Sequence, residues 1–460
     1  MTESAFYYKG RIIKSIGLFG IGRSNLAVYR YLTGKYPNLS VTVRASFESD
    51  INGIKAKRIF FGEECFLDIR EDILFLSPSA RRDAPPLIEA EKRGVILSSD
   101  TEFFFSLSES DIFAVTGSDG KSTTTHLASL LLSDTYKSAI PSANSGEPMS
   151  PHLDDGNNTA FVAELSSFQL MYQLPPSKRA LITNISENHL NWHKSFREYI
   201  LAKSNILPNA GERILNYDCE ISRELLESYT LFGVYSKSLP YKELKKQKKA
   251  EIYLTLESGK IQLNGNALLD ISDIKLHGIH NVENYMAAIA LCHGYFKMDS
   301  LYEIARSFGG LEHRREFVIA KNGVDYYNSS IDSSPKRCIS TLNTFQKNVV
   351  LILGGRTKGL DFSELVPLAV RKSKKIILTG ESIEEMENAF LKSAAYSNSE
   401  AKLFKVKDFY SAIDLSQTIA EPGDTVLLSP AATSYDAFRN FEERGRAFKD
   451  YIRKHKNKGT

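Results

Sequence analysis

Lys121 and Ser122 follow Gly120 in the run Ala114-Val115-Thr116-Gly117-Ser118-Asp119-Gly120-Lys121-Ser122-Thr123-Thr124-Thr125, and this order of residue types suits phosphate chemistry. Backbone N–H groups of a glycine turn can point inward at phosphate oxygens, and the N-terminus of a following helix adds partial positive charge. A lysine placed there meets the outer phosphates, and the hydroxyl beside it helps hold Mg²⁺. An ordinary glycine-rich strand–helix turn requires neither side chain. The full phosphate-loop pattern has a glycine where Val115 stands, so this is a variant loop.

Glu164 closes the apolar run Phe161-Val162-Ala163, where a phosphate-loop sheet places a second carboxylate near Mg²⁺. The plain alternative is a solvated glutamate at a strand end. His189 and His193 are four residues apart, but the residues between them lack the glutamate of a zinc-protease helix, so zinc is not expected. Lys203 falls on an expected helix at 195–207, and its spacing alone assigns it no role. Gly20-x-Gly22 opens like a dinucleotide fingerprint. However, Asn25 takes the third glycine's place, and Arg44 stands where a ribose-binding acid belongs. That argues against a nicotinamide cofactor and leaves a turn for another phosphate-bearing ligand, with Arg44 nearby.

The elements that must position these groups alternate between strand and helix. Short apolar runs at 12–19, 41–43, 73–76 and 95–97, with helices at 24–32 and 86–93, predict a parallel sheet. A second set runs from the strand at 112–115 through the helix at 121–132 and strands near 161–165 and 180–184. It continues to a hairpin at 251–263 and a helix after Gly278, in which Asn281 can act as a cap. A third alternating set spans 324–428 and ends in a helix expected from Ser434 to Arg453. There Phe438, Phe441, Phe448 and Tyr451 would share a core-facing stripe.

At 460 residues, three domains are the soft expectation, and 42% hydrophobic with 25% charged residues is ordinary for a globular chain. A net charge of +3 implies no polyanion partner, and the basic run at 242–251 reads as a solvated face, not a nucleic-acid patch. Nothing near the start resembles a signal peptide, and no run approaches the roughly 18 apolar residues of a membrane span. Cys65, Cys219, Cys292 and Cys338 show neither disulfide nor metal spacing, which fits a cytoplasmic protein.

The stretches TGSDGKST, ELSSFQL, NHLNWH followed by Lys203, GIHNVEN, LEHRREF, GGRTKGLDF and LLSPAATSYDAFRNFEERG occur in this order along the chain. Together they resemble the Mur ligases of peptidoglycan synthesis. The Ser-Ser-Phe-Gln run and the Ser-Pro-Ala…Phe-Glu-x-Arg-Gly ending are most similar to the branch that adds D-glutamate to UDP-N-acetylmuramoyl-L-alanine.

The resemblance implies an α/β protein of three domains. These are a Rossmann-like UDP-substrate domain at 1–109, a central ATP and Mg²⁺ domain at 110–312, and a Rossmann-like amino-acid domain at 313–460. The central domain is of the P-loop ATPase type, mostly parallel with a small antiparallel β element. In the implied reaction, ATP phosphorylates a carboxylate and an amine displaces phosphate from the acyl phosphate. Partners are small molecules, without nucleic acid or membrane, and the protein is expected to be a monomer.

By the same resemblance, Gly117, Ser118, Asp119, Gly120, Lys121, Ser122, Thr123, Asn281, Asn284 and Arg314 hold ATP, and His313 lies nearby. Ser122, Glu164, His189 and Lys203 hold Mg²⁺, with Lys203 as a carbamate whose oxygens suit a hard cation. Lys121, Glu164, His189, Lys203 and Asn144 form the catalytic set. Phe19, Gly20, Arg44 and Asn144 contact the UDP substrate, while Ser333, Lys358, Ser434 and Phe441 line the D-glutamate pocket. The chain departs from the family pattern at Ser329 and Ile331, with Asp332 following, and at Asn188 and Asn191. Another Mur-type or folate-type γ-glutamyl ligase with a different acceptor, and a nucleotide-binding regulator without catalysis, are the alternative readings.

Overall fold

Buried β-rich runs alternating with half-buried helices build a mixed α/β architecture with mostly parallel sheets. The computed structural model describes residues 5–45, 53–144, 147–190, 192–346, 348–357 and 359–454; Lys358 and Asn191 lie outside the described residues. The chain forms two units, 1–308 and 309–460.

The first unit carries two large sheets. One is parallel throughout, in the order Arg58–Phe61, Ser40–Ala45, Ser15–Phe19, Ile73–Leu76, Ile96–Ser98. Ile16, Leu18, Val43, Ile73 and Phe75 are buried in its core with Phe103. The expected helix at 24–32 runs from Arg23 to Lys35.

The second sheet has nine strands, in the order Asn266–Asp270, Lys260–Leu263, Ala250–Glu257, Leu231–Ser236, Ala210–Asn216, Ser177–Ile182, Asp111–Thr116, Thr159–Glu164, Ser138–Ala143. Seven strands are parallel, and the expected hairpin gains a third antiparallel strand. Ser138–Ala143 holds Pro141 and lies at the edge, where a residue without N–H costs no ladder bond. Helix Lys121–Leu132 packs against Ile279–Cys292, through Leu127, Ala128 and Leu131 on one side and Ala287, Ala288 and Leu291 on the other. Asn281 is not the cap of that second helix. Gly278 occupies the cap position, and Asn281 lies inside the first turn with its amide on the His277 carbonyl at 2.8 Å.

The second unit has a six-stranded sheet, in the order Glu316–Lys321, Val324–Asn328, Thr425–Leu428, Val349–Gly354, Lys375–Thr379, Lys402–Lys405, parallel except for its first strand. Its last helix spans Phe441–Lys454, so Ser434 and Phe438 precede it. The later start has a local cause. Asn440 Oδ1 accepts from Glu443 N and Glu443 Oε2 accepts from Arg439 N, both at 2.8 Å, which satisfies donors at the helix start. Phe441 and Phe448 are on the helix, whereas Phe438 packs on Phe409 from outside it. Among the described residues no helix is long and apolar enough to cross a membrane.

Candidate functional site

The glycine loop joins the C-terminal end of the central strand Asp111–Thr116 to the N-terminus of helix Lys121–Leu132. Gly120 has φ +79, and a Cβ there would collide with Oδ1 of Asn284. Asn284 Nδ2 donates to Asn281 Oδ1 at 3.2 Å, so the two predicted nucleotide asparagines form a chain from the loop to His277. On its other side the loop is held by Asn184, whose carbonyl accepts from Ser118 N at 2.8 Å and whose Oδ1 accepts from Asp119 N at 2.9 Å. Thr183 Oγ1 donates to the Asp119 carbonyl at 2.6 Å. Sequence reasoning gave Thr183 and Asn184 no role. Their signal is a polar pair ending an apolar strand beside the loop strand.

Lys121 Nζ folds back on the carbonyls of Gly117 and Ser118, at 2.8 and 2.7 Å. Ser122 is buried and Thr123 half-buried at the first turn of the helix. Ser118 Oγ bonds the hydroxyl of Tyr199 at 2.8 Å, and burial pushes that phenol up to about 12. One turn further along the same helix, Lys203 is 2% exposed. Its Nζ donates to the Gly117 carbonyl at 2.7 Å and to Thr116 Oγ1 at 3.3 Å. Burial, and then the nearby positive charge of Lys121, press its pKa well below the ordinary lysine value; Glu164 and Asp119 oppose them. Burial beside the loop therefore works against the charged form of this lysine.

Glu164 ends the neighbouring strand, 1% exposed, with Asn144 Nδ2 on its Oε1 at 2.8 Å. His189 is exposed, takes a left-handed φ of +55 and meets the Phe168 ring edge-on at 4.9 Å. His193 is buried, with Nε2 against Ser167 Oγ at 2.9 Å, and burial lowers its pKa. It is a packing residue. Among the described residues, no group of three or more His, Cys, Asp or Glu side chains could hold a metal ion. Ser122 and Glu164 offer hard oxygen donors suited to Mg²⁺. Lys203 as an amine does not, whereas a carbamate on it would.

Around Gly20, the predicted UDP-substrate turn, Asn25 Nδ2 donates to the carbonyls of Phe19, Gly20 and Phe75, at 3.1, 2.8 and 3.0 Å. The asparagine in the third glycine's place therefore shapes the turn. Arg44 is engaged by the protein itself. It is 1% exposed, with NH1 on the carbonyls of Cys65 and Leu67 at 2.9 and 2.7 Å. Its NH2 meets Glu71 Oε1 at 2.8 Å and the Asp68 carbonyl at 3.1 Å. Position in the motif suggests a phosphate ligand, whereas the segment at 65–71 folds over the guanidinium and takes up both of its terminal nitrogens.

In the second unit, Arg314 is exposed and His313 is buried, with Nδ1 accepting from Asn328 at 2.9 Å. Ser333 is half-buried, Ser434 is buried and Phe441 is half-buried. Arg444, which sequence reasoning left without a role, is tied through Ser330 to the backbone of Phe441. Its Nε donates to Ser330 Oγ at 3.0 Å, and Ser330 Oγ donates to the Phe441 carbonyl at 2.8 Å. Burial lowers its pKa to about 10. Ser329 is fully buried, and Asp332 lies under the same loop with Ser429 Oγ on its carboxyl at 2.7 Å. Burial raises the pKa of that acid. Asp332 is thus a buried structural group, not an exposed replacement for the aspartate that Ser329 lacks.

Two family descriptions match the chain, the Mur ligase middle domain over residues 115–292 and the Mur ligase glutamate ligase domain over residues 313–432. The UDP-N-acetylmuramoylalanine–D-glutamate ligase of Ruminiclostridium cellulolyticum is 36% identical over 457 residues, covering 95% of this chain and 96% of that protein. The enzyme of the same name from Clostridium tetani is 35% identical over 455 residues, covering 96% of both. Among solved structures, the UDP-N-acetylmuramate-alanine ligase MurC of Thermotoga maritima matches with a TM-score of 0.55 at 19% identity, over 96% of this chain and 100% of that one. The folylpolyglutamate synthase of Mycobacterium tuberculosis matches at 0.51 and 12% identity, over 74% of this chain and 92% of that one. At those identities the two structures speak to the fold alone.

Proposed function

The chain belongs to the Mur ligase family, and from that membership we propose how its own residues carry out the family's chemistry. It is an ATP-dependent ligase that adds D-glutamate to UDP-N-acetylmuramoyl-L-alanine in peptidoglycan precursor synthesis. ATP and Mg²⁺ are general requirements of the family. We read the three large sheets as three domains, near 1–109, 110–312 and 313–460, the outer two Rossmann-like. We also read the protein as a cytoplasmic monomer, in keeping with four free thiols.

The observation that carries the mechanistic reading is the buried amine of Lys203 against the Gly117 carbonyl at 2.7 Å. A carboxylate is a poor acyl donor because oxide would have to leave. An oxygen of the substrate carboxylate attacks the γ-phosphorus of ATP, the bond to the bridging oxygen breaks, and ADP departs. The amine of D-glutamate then attacks the acyl carbon, the tetrahedral intermediate expels phosphate, and one proton is lost from nitrogen.

Backbone N–H groups of 117–122 and Lys121 orient the ATP phosphates and offset their charge. Asn284 and Asn281 fix the loop beside the nucleotide, and Asn144 holds the Glu164 carboxylate. Ser122, Glu164, His189 and Lys203 would hold Mg²⁺, which when bound neutralises charge on the phosphoryl oxygens. Lys203 joins that set through reaction of its neutral amine with CO₂, forming an N–C bond and releasing one proton. Gly20 and Asn25 shape the UDP-substrate turn, while Ser333, Lys358, Ser434 and Phe441 receive D-glutamate, with Arg444 positioning Phe441. Arg314 serves the nucleotide.

Phosphate release from ATP with the UDP-substrate present tests the reading. It should require D-glutamate. A folate-type acceptor would support the alternative ligase, and nucleotide binding without turnover would support the regulator.

A further inference from the structure

The turn after strand Ile73–Leu76 lies beside the glycine turn of the first sheet, with Ser77 N donating to the Phe19 carbonyl at 3.0 Å. From this turn Arg81 reaches the loop that carries His189. Its NH1 donates to the Trp192 carbonyl at 2.8 Å, and NH1 and NH2 meet the two oxygens of Glu198 at 3.3 and 3.1 Å. Nε and NH2 grip Asp83, each at 2.8 Å, and the guanidinium lies 4.8 Å from the Trp192 ring centroid. Trp192 Nε1 donates in return to the Ser79 carbonyl at 2.9 Å.

The amides of Trp192 and His193 both donate to the His189 carbonyl at 3.0 Å, so the histidine turn closes onto two anchored residues. Phe168 fills the space between, 4.5 Å from the Trp192 ring and 4.9 Å from His189. His189 itself has a φ of +55, a conformation that non-glycine residues keep only where neighbours hold it. The strongest of these anchors is Arg81, because one planar guanidinium satisfies two carboxylates and a carbonyl while stacking on the ring.

We propose that Arg81 is a positioning residue for His189, clamping the Mg²⁺-histidine loop to the ligand edge of the first sheet through Trp192 and Glu198. The proposal rests on the reading of His189 as a Mg²⁺ ligand. Arg81 touches no reacting atom in this scheme. It sets the backbone from which His189 is presented, as groups behind a metal ligand commonly do. Lysine cannot replace it, since a point charge reproduces neither the fork nor the stack.

Trp192 is the single tryptophan of the chain, so its emission reports on this clamp directly. Mg²⁺ titrated into the protein with ADP, followed by Trp192 fluorescence, gives a midpoint that does not depend on turnover. Arg81→Lys is expected to raise that midpoint about tenfold. It should raise the half-saturating Mg²⁺ for turnover in parallel, with kcat at saturating Mg²⁺ within about twofold of the wild type. An unchanged midpoint, or a fall in kcat that Mg²⁺ does not restore, would overturn the proposal. Should Arg81→Lys fail to fold, Glu198→Gln decides, with a smaller shift in the same direction expected and no shift overturning it. Failure of the ligase reading would appear separately, as wild-type protein that binds Mg²⁺ and ADP but shows no D-glutamate-dependent turnover.

Discussion

Lys203 Nζ donates to the carbonyl oxygen of Gly117 at 2.7 Å, from a side chain that is 2% exposed. We propose that this buried amine, held on the backbone of the glycine loop with Lys121 opposing its protonation, reacts with CO₂. Lys203→Arg keeps a cation but forms no carbamate. Turnover is expected to fall about 10²–10³-fold, as for loss of one strong electrostatic group in a site. Steady-state amide formation with and without added bicarbonate measures it. Near-wild-type activity, or rescue by bicarbonate, would contradict the carbamate role.

Gly120 must be glycine for two separate reasons, its φ of +79 and the Oδ1 of Asn284 where a Cβ would go. Gly120→Ala is expected to raise the Kd for ATP at least tenfold, since a left-handed non-glycine residue costs about 1–3 kcal/mol before the collision is added. Calorimetric titration with ATP and Mg²⁺ checks this. An unchanged Kd would mean that the Gly120–Asn284 contact does not shape the site.

The Arg44–Glu71 pair, at 2.8 Å with both side chains buried, is structural. Arg44→Ala is expected to lower stability by about 3–5 kcal/mol by leaving Glu71 buried and uncompensated. Denaturant unfolding of Arg44→Ala and of the double variant with Glu71→Ala should show costs that do not add. A raised KM for the UDP substrate at unchanged stability would return Arg44 to ligand binding.

Asp332 has a raised pKa in the folded protein, so its contribution to stability is present below the unfolded carboxylate value of about 3.9 and is lost as pH rises through the folded value. Asp332→Asn keeps the partner of Ser429 without a titrating proton. The variant is expected to lose this part of the pH dependence and to melt above the wild type near neutral pH. Thermal melts across the acidic to neutral range test it, and identical pH profiles for the two proteins would contradict the buried-acid assignment.

The place of the glycine loop between strand and helix was legible because its glycine, lysine and hydroxyl are adjacent in the chain, and that of Glu164 because it ends an apolar run. The burial of Arg44 was not legible, because motif position says where a residue falls on a strand, whereas burial depends on how the distant 65–71 segment folds. The grip of Arg81 on Trp192 joins residues 111 apart, and no local pattern announces it. The edge strand Ser138–Ala143 escaped notice because Pro141 argues against a strand except at an edge. The start of the last helix was readable, since Asn440 with Glu443 three residues on is a capping pattern. The apolar spacing from Phe438 concealed it.

The most direct test of the account follows one oxygen. UDP-N-acetylmuramoyl-L-alanine labelled with ¹⁸O in its carboxylate is turned over with ATP, Mg²⁺ and D-glutamate, and the released phosphate is analysed by mass. An acyl phosphate transfers one carboxylate oxygen to phosphate, so the account predicts one ¹⁸O per phosphate and release that depends on D-glutamate. Unlabelled phosphate, or release that proceeds equally without D-glutamate, would contradict it.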